Sequence, residues 1–463
     1  MSENAAERDV VVVGGGVVGT AIARELSRFE LRVTLVEAAL DVGAGTSKAN
    51  TALLHTGFDA KPGTLEARLV RRGHELLSEY APRAGIPLER AGALLVAWND
   101  EQLAQFPAIV DRSHANGYDR IREVGPEELY AMTPHLGPGA RGALEVPDEG
   151  IICPFTTPLA YATEAVLGGC ELLLGTRVTG LERPRGGALL VSTQTAILKT
   201  RFLVNAAGLY SDELDRMLGH DVFTVTPRRG ELIVFDKLAR PLLDRILLAV
   251  PTATTKGVLL APTVFGNLLL GPTAEDIADK RDTSSTDAGL AYLRAEGERI
   301  MPELAGYEIT AVYAGLRAAT EHSDYQLAIE DRLGYARVGG IRSTGLSASM
   351  AIAEHVREGL GAAGLPLERK PRPLAVRMPN IGEGLPRPYE NPARIAEDAD
   401  YGRIVCFCER VTRGEILAAL SSPIPPSDLD GLRRRTRAVM GRCQGFFCGS
   451  HVQALLRDGA AAP

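Results

Sequence analysis

Residues 9–13 form a short unbroken apolar run, which predicts a strand buried on both faces. Gly14, Gly15, Gly16 and Gly19 follow, separated only by Val17 and Val18. Apolar positions then recur at helical spacing through Ala21, Ile22 and Leu26. A second apolar strand is predicted over residues 32–36, and it ends at Glu37. Strand, glycine turn, helix, strand and acid within about thirty residues is the layout of a dinucleotide-binding unit.

Each part of that layout has a physical task. Gly14 permits the tight turn, Gly16 lets backbone approach a pyrophosphate, and Gly19 lets helix and strand pack closely. The helix start offers unsatisfied N–H groups and partial positive charge to the phosphates. Glu37 is placed to accept from ribose hydroxyls, and an acid there disfavours a 2'-phosphate.

Later apolar runs read as returns to the same sheet. They cover residues 171–178, 202–208 and 336–340, with a helix from Gly345 to about Val356. Residues 215–305 are richer in β-branched residues and turn signals, and Thr226 to Glu231 opens a strand there. That stretch predicts a mainly antiparallel sheet in a substrate domain. From about 364 to 400 the pattern breaks. Pro366, Pro371, Pro373, Pro379, Pro386, Pro388 and Pro392 predict a semi-extended linker lying across a surface. No fixed-period repeat is visible.

Composition narrows the function classes. A chain of 463 residues, 45% hydrophobic and 24% charged, reads as two or three folded units. The net charge of -7 argues against nucleic-acid binding, which needs a basic face. No run of about eighteen apolar residues predicts a membrane span. The polar, acidic start lacks the layout of a signal peptide, so a cytoplasmic protein is expected, with peripheral membrane attachment through a partner as the alternative.

Cysteine usage changes the picture most. Four of six cysteines sit in the last sixty residues, as Cys406, Cys408, Cys443 and Cys448. Four thiolates able to converge make an iron–sulfur or zinc site, and the tight C-x-C spacing leans towards iron. Cys153 and Cys170 stand apart and read as small core residues. A nucleotide cofactor at one end and a cluster at the other point to an enzyme that takes electrons from a substrate and passes them on.

Four segments carry a family resemblance. They are the fingerprint through Glu37; Gly45 to Gly57, followed by Lys61 to Thr64; Asn205 to Asp212; and the pair Ala314 to Arg317 and Gly340 to Ser347. On these, the first 360 residues resemble the flavin oxidoreductases of the D-amino-acid-oxidase superfamily. The closer likeness is to the branch of FAD-dependent glycerol-3-phosphate dehydrogenase and L-2-hydroxyglutarate oxidase. The tail looks like the helical [2Fe-2S] module named for bacterioferritin-associated ferredoxin.

The resemblance implies an α/β (α+β) architecture. It combines a Rossmann-like FAD-binding domain, an antiparallel-sheet substrate domain and a small helical C-terminal iron–sulfur module. The expected bounds are 1–365 for the oxidoreductase, with FAD parts near 1–80, 150–214 and 306–365 and substrate parts near 81–149 and 215–305. The linker is 366–400 and the [2Fe-2S] module 401–457.

The implied cofactors are FAD and a [2Fe-2S] cluster on the four tail cysteines. Thr46, Ser47 and Asn50 match the loop that contacts pyrophosphate and flavin in relatives, and Val178 the strand whose backbone reads adenine. Gly208 and Gly340 belong to the matching segments, and Gly345, Leu346 and Ser347 open the last long helix, whose start can stabilise a reduced flavin. His55 is expected as proton acceptor or hydroxyl-binding group, with His322 a weaker candidate. Arg317 is expected to hold the anion of a small phosphate or carboxylate substrate, helped by Arg228, Arg229 and Lys256.

Four functions fit these residues. The leading one is oxidation of sn-glycerol 3-phosphate to dihydroxyacetone phosphate, with electrons leaving through the cluster to a redox partner subunit or carrier. The others are oxidation of L-2-hydroxyglutarate or another 2-hydroxy acid, oxidation of an amine or amino acid, and a mainly electron-transferring role with a vestigial substrate site.

Overall fold

A computed structural model describes residues 7–184, 187–251, 257–372 and 374–460. Lys256 and Pro373 lie outside them. The strand Arg8–Val13 lies centrally in an eight-stranded sheet, with Val10, Val11 and Val12 at 0% exposure. It pairs in parallel with Val33–Val36 on one side and with Ile197–Asn205 on the other. Glu171–Leu173 and Tyr335–Gly339 extend the parallel part. Helices Val17–Leu26 and Gly345–Ala362 pack against each other beside this sheet. Both-face coverage is why its strands read as continuous apolar runs.

Among the described residues the second sheet has nine strands. All its pairings are antiparallel except Ile246–Ala249 against Ala93–Ala97. The strand Ile309–Ala319 belongs here, bonded along its length to Thr226–Phe235. This departs from the expected grouping of residues 306–365 with the cofactor part. Period and propensity cannot tell which of two adjacent sheets a strand will join, because the choice rests on long-range pairing. The predicted run 171–178 is likewise split: Glu171–Leu173 ends in a turn and Val178–Glu182 starts a separate strand.

A three-stranded sheet of Leu53–Leu54, Gly150–Ile152 and Leu88–Glu89 stands apart from both large sheets. The proline-rich stretch is less plain than its composition suggests. It carries a short helix, Pro392–Glu397, started by Pro392 and capped by Asn391, and it buries Ile381 and Arg387. Proline at a first helical position costs nothing, since that N–H has no helical partner. The tail folds as a hairpin, Ile404–Cys406 with Val411–Thr412, and helices Arg413–Leu420, Leu429–Thr436 and Gly449–Ala460. No described helix is long and apolar enough to cross a membrane.

Candidate active site and cluster site

The first strand ends at Gly14, whose φ is 111°. A Cβ there would stand 2.3 Å from the Ala206 carbonyl oxygen, and one on Gly19 would stand 1.9 Å from the Gly14 oxygen. Only glycine permits this approach of helix to strand end. Gly16 caps the helix in extended backbone without any side-chain cap, and the Val17 N–H donates to Ser47 Oγ at 2.9 Å. Glu37 folds back on the turn, accepting from Gly15 N–H at 2.5 Å and Ala39 N–H at 2.6 Å. Burial pushes its carboxyl up, and these backbone donors only partly offset that.

A cavity of about 800 Å³ opens at this turn. Gly14, Gly16, Glu37, Thr46, Ser47, Asn50, Val178 and Gly208 line it, as do Gly345, Leu346, His55 and Arg317. The start of helix Gly345–Ala362 faces it without a side-chain cap or an acid in its first turn. Gly45 and Gly208 have open space where a Cβ would be. Two helix starts without a capping side chain on their N-cap residues, and a glycine-lined cradle, fit the pyrophosphate and the ring system of FAD.

Three of the residues expected to bind the cofactor do not line the cavity. Gly19 packs the helix on the turn, and Gly340, at φ 65°, turns the chain after its strand. Ser347 is fully buried, and its Oγ accepts the His55 N–H at 2.8 Å. Thr46 and Asn50 spend their polar groups on the fold: Thr46 Oγ1 donates to Leu316 O, and Asn50 Nδ2 donates to Ser47 O. His322 is on the surface beside the Val222 carbonyl, away from the cavity. Arg229 is buried in ion pairs with Glu275 and Asp282, so it brings no charge to the cavity. Arg228 does line it, held bidentately by Asp276.

Arg317 stands opposite Arg228 in the strand register. Its guanidinium has no carboxylate partner among the described residues, and its nearest acceptor, the Thr273 carbonyl, is 3.4 and 3.5 Å away. Such contacts are at the edge of hydrogen bonding. Burial and then the Arg228 charge push the guanidinium down to about 10, so it stays cationic at neutral pH.

Two residues that the sequence did not single out join the site. Glu149 meets His55, and Asp41 links the cofactor loop to the tail. In the sequence Asp148-Glu149-Gly150 reads as no more than a turn; only the strand register turns Glu149 inward.

In the tail the four thiols meet as two pairs, Cys408 with Cys443 and Cys406 with Cys448. Among the described residues no three metal-binding side chains already stand at metal-ligand spacing. The donor set is nevertheless four cysteines on two loops that touch, which suits a cluster. The Phe447 N–H, with those of Gly445 and Phe446, holds the Cys443 thiol below its usual range. Burial, then the neighbouring Cys406, pushes Cys448 up to about 12. Four of the five described non-glycine residues with positive φ lie here: Arg410, Arg437, Val439 and Gln444. Backbone held in that region, above all at a β-branched valine, marks a loop shaped for a site.

Cys443→Ser should abolish cluster absorbance and halve or worse the bound iron, while substrate still bleaches the flavin. Visible spectra and iron assay decide it; a flavin that no longer bleaches would make the tail structurally necessary.

The chain belongs to the family described as FAD dependent oxidoreductase (DAO), which it matches over residues 9–358. Residues 404–458 match the BFD-like [2Fe-2S] binding domain. It is therefore an FAD-dependent enzyme with a [2Fe-2S] module, as the resemblance implied. A glycerol 3-phosphate dehydrogenase of Caloramator mitchellensis is 35% identical over 97% of this chain and 93% of its own length. A subunit of the anaerobic glycerol-3-phosphate dehydrogenase of Escherichia coli K12 is 26% identical over 97% of this chain and 88% of its own. The dithionite-reduced L-α-glycerophosphate oxidase of Mycoplasma pneumoniae, solved with FAD bound, superposes with a TM-score of 0.76 at 30% identity. It covers 81% of this chain and 100% of its own.

Proposed function

We propose that this FAD-dependent oxidoreductase oxidises the secondary alcohol of sn-glycerol 3-phosphate to the ketone of dihydroxyacetone phosphate. The observation that carries the reading is Arg317, a cation without a carboxylate partner among the described residues, facing the cofactor cavity. A desolvated guanidinium fork binds a phosphate bidentately, and Arg317 is the cation left to do so, since Arg228 beside it is already paired with Asp276. Relatives similar to this chain over nearly its whole length, and whose names specify glycerol 3-phosphate, support phosphate over carboxylate.

His55 takes the hydroxyl proton as the carbinol carbon gives up hydride. Arg317 fixes the phosphate, so that the reacting carbon is presented in one orientation. Gly14, Gly16, Glu37, Ser47 and Val178, which line the cavity at the glycine turn, would hold the nucleotide half of FAD, and the start of the Gly345–Ala362 helix would stabilise negative charge on its reduced ring system. Bound FAD supplies a two-electron acceptor, and the cluster a one-electron carrier. Cys406, Cys408, Cys443 and Cys448 hold the cluster at the exit towards a redox partner in the cytoplasm. The Escherichia coli relative, named as one subunit of its enzyme, supports such a partner.

Anaerobic titration of the purified protein with glycerol 3-phosphate, followed by visible absorption, tests this. Flavin bleaching followed by loss of cluster bands is expected. Bleaching by L-2-hydroxyglutarate alone would replace the phosphate with a carboxylate at Arg317.

A further inference from the structure

We propose that Glu149 is a positioning residue for His55, fixing the imidazole tautomer with the proton on Nδ1 and the acceptor lone pair on Nε2. The proposal rests on the reading of His55 as proton acceptor. The register carries it. Strands Leu53–Leu54 and Gly150–Ile152 run antiparallel with Leu54 opposite Gly150, so His55 and Glu149 leave the ladder as neighbours. Glu149 Oε2 stands 3.0 Å from His55 Nδ1.

The other carboxylate oxygen shows why this contact sets a tautomer. Glu149 Oε1 accepts from the Thr56 N–H at 2.7 Å and from Thr56 Oγ1 at 2.9 Å. The side chain has 0% exposure and no Arg or Lys partner among the described residues. A buried carboxylate needs its lone pairs served. One oxygen is served by Thr56, and His55 serves the other. Because a carboxylate only accepts, the shared proton belongs to Nδ1. The main chain that carries the imidazole is held as well, because the His55 N–H donates to Ser347 Oγ.

A purely loop-pinning Glu149 would need only the Thr56 bonds, and an isosteric amide separates the two roles. In Glu149→Gln the amide oxygen stays on the two Thr56 donors, so the NH₂ is forced towards Nδ1. The ring must then accept at Nδ1 and carry its proton on Nε2, where it cannot take one from substrate. An equivalent tautomer error in a serine-protease triad costs about 10⁴ in kcat.

The test uses full-length, FAD-loaded protein labelled with ¹⁵N-histidine, at a pH where imidazole is neutral. Wild-type His55 should show a protonated Nδ1 and bare Nε2, and Glu149→Gln the reverse. Flavin reduction should fall roughly 10²–10⁴-fold with KM little changed, and Glu149→Asp should recover part of it. A bare Nδ1 in wild type overturns the proposal without any variant. An unchanged tautomer in Glu149→Gln, with His55→Gln slow, overturns the positioning role alone. His55→Gln reducing flavin at the wild-type rate overturns the base reading beneath it.

Discussion

Arg317→Ala should weaken glycerol 3-phosphate binding by roughly 30- to 3000-fold while FAD stays bound. Truncating one side of a desolvated charge pair costs about 2–5 kcal/mol, and each 1.4 kcal/mol is about tenfold. The expectation follows from the guanidinium's surroundings. It makes no ion pair with a described carboxylate, so its removal frees no buried acid and should disturb the fold little. Arg317→Lys should recover only part of the loss, since an ammonium keeps the charge without the planar fork. The concentration dependence of anaerobic flavin reduction gives the substrate constant, and flavin content gives retention. Equal loss of both would show that Arg317 supports the cofactor and not the substrate anion.

How far the chain can be read in advance depends on the range of the interactions. The glycine turn is legible because its geometry is local: Gly14 and Gly19 are required by contacts within a few residues and one neighbouring strand. The tail is legible because four cysteines in a short segment have few other uses. Arg317 stands out only through its family segment. Glu149, Asp41 and the sheet of Ile309–Ala319 are not legible. In each case the deciding partner is far along the chain, 94 residues for His55–Glu149 and 394 for Asp41–Arg435. Propensity and period contain no record of such pairings. Arg229 errs the other way. It is charged and near a predicted site, but Glu275 and Asp282 neutralise it.

Asp41→Ala should release the cluster module from the flavin domain and loosen FAD together. Asp41 is 3% exposed and takes three charged hydrogen bonds from the tail: Arg434 at 2.6 Å and Arg435 at 2.7 and 2.8 Å. Both arginines are themselves buried, at 6% and 8% exposure. Removing the acid leaves them short of a partner, at a cost of about 3–5 kcal/mol. Lys48–Asp430 lies beside this contact, and Arg442–Asp236 and Lys237–Glu409 add to the same interface. Those remaining bridges are more exposed and individually worth less.

Asp41 also belongs to the loop whose Gly43 N–H donates to the Gly15 carbonyl inside the glycine turn. A shift at Asp41 therefore reaches the pyrophosphate cradle directly. Hydrogen exchange across residues 428–437 should speed up by roughly a hundredfold or more, and FAD should dissociate more readily although no FAD-lining residue has changed. The pH dependence has a definite sign. Burial raises the Asp41 carboxyl, but Arg435 and Arg434 outweigh it and hold the group below its ordinary value of about 3.9. A depressed acid contributes stability above that value and loses it as pH falls through the native one. Wild-type docking should thus persist at neutral pH and weaken below about pH 4, whereas Asp41→Asn should be weak throughout and lack that transition. Exchange that accelerates in the tail while FAD affinity stays unchanged would separate the two units. The tail would then dock on the flavin domain without any hold on its cofactor.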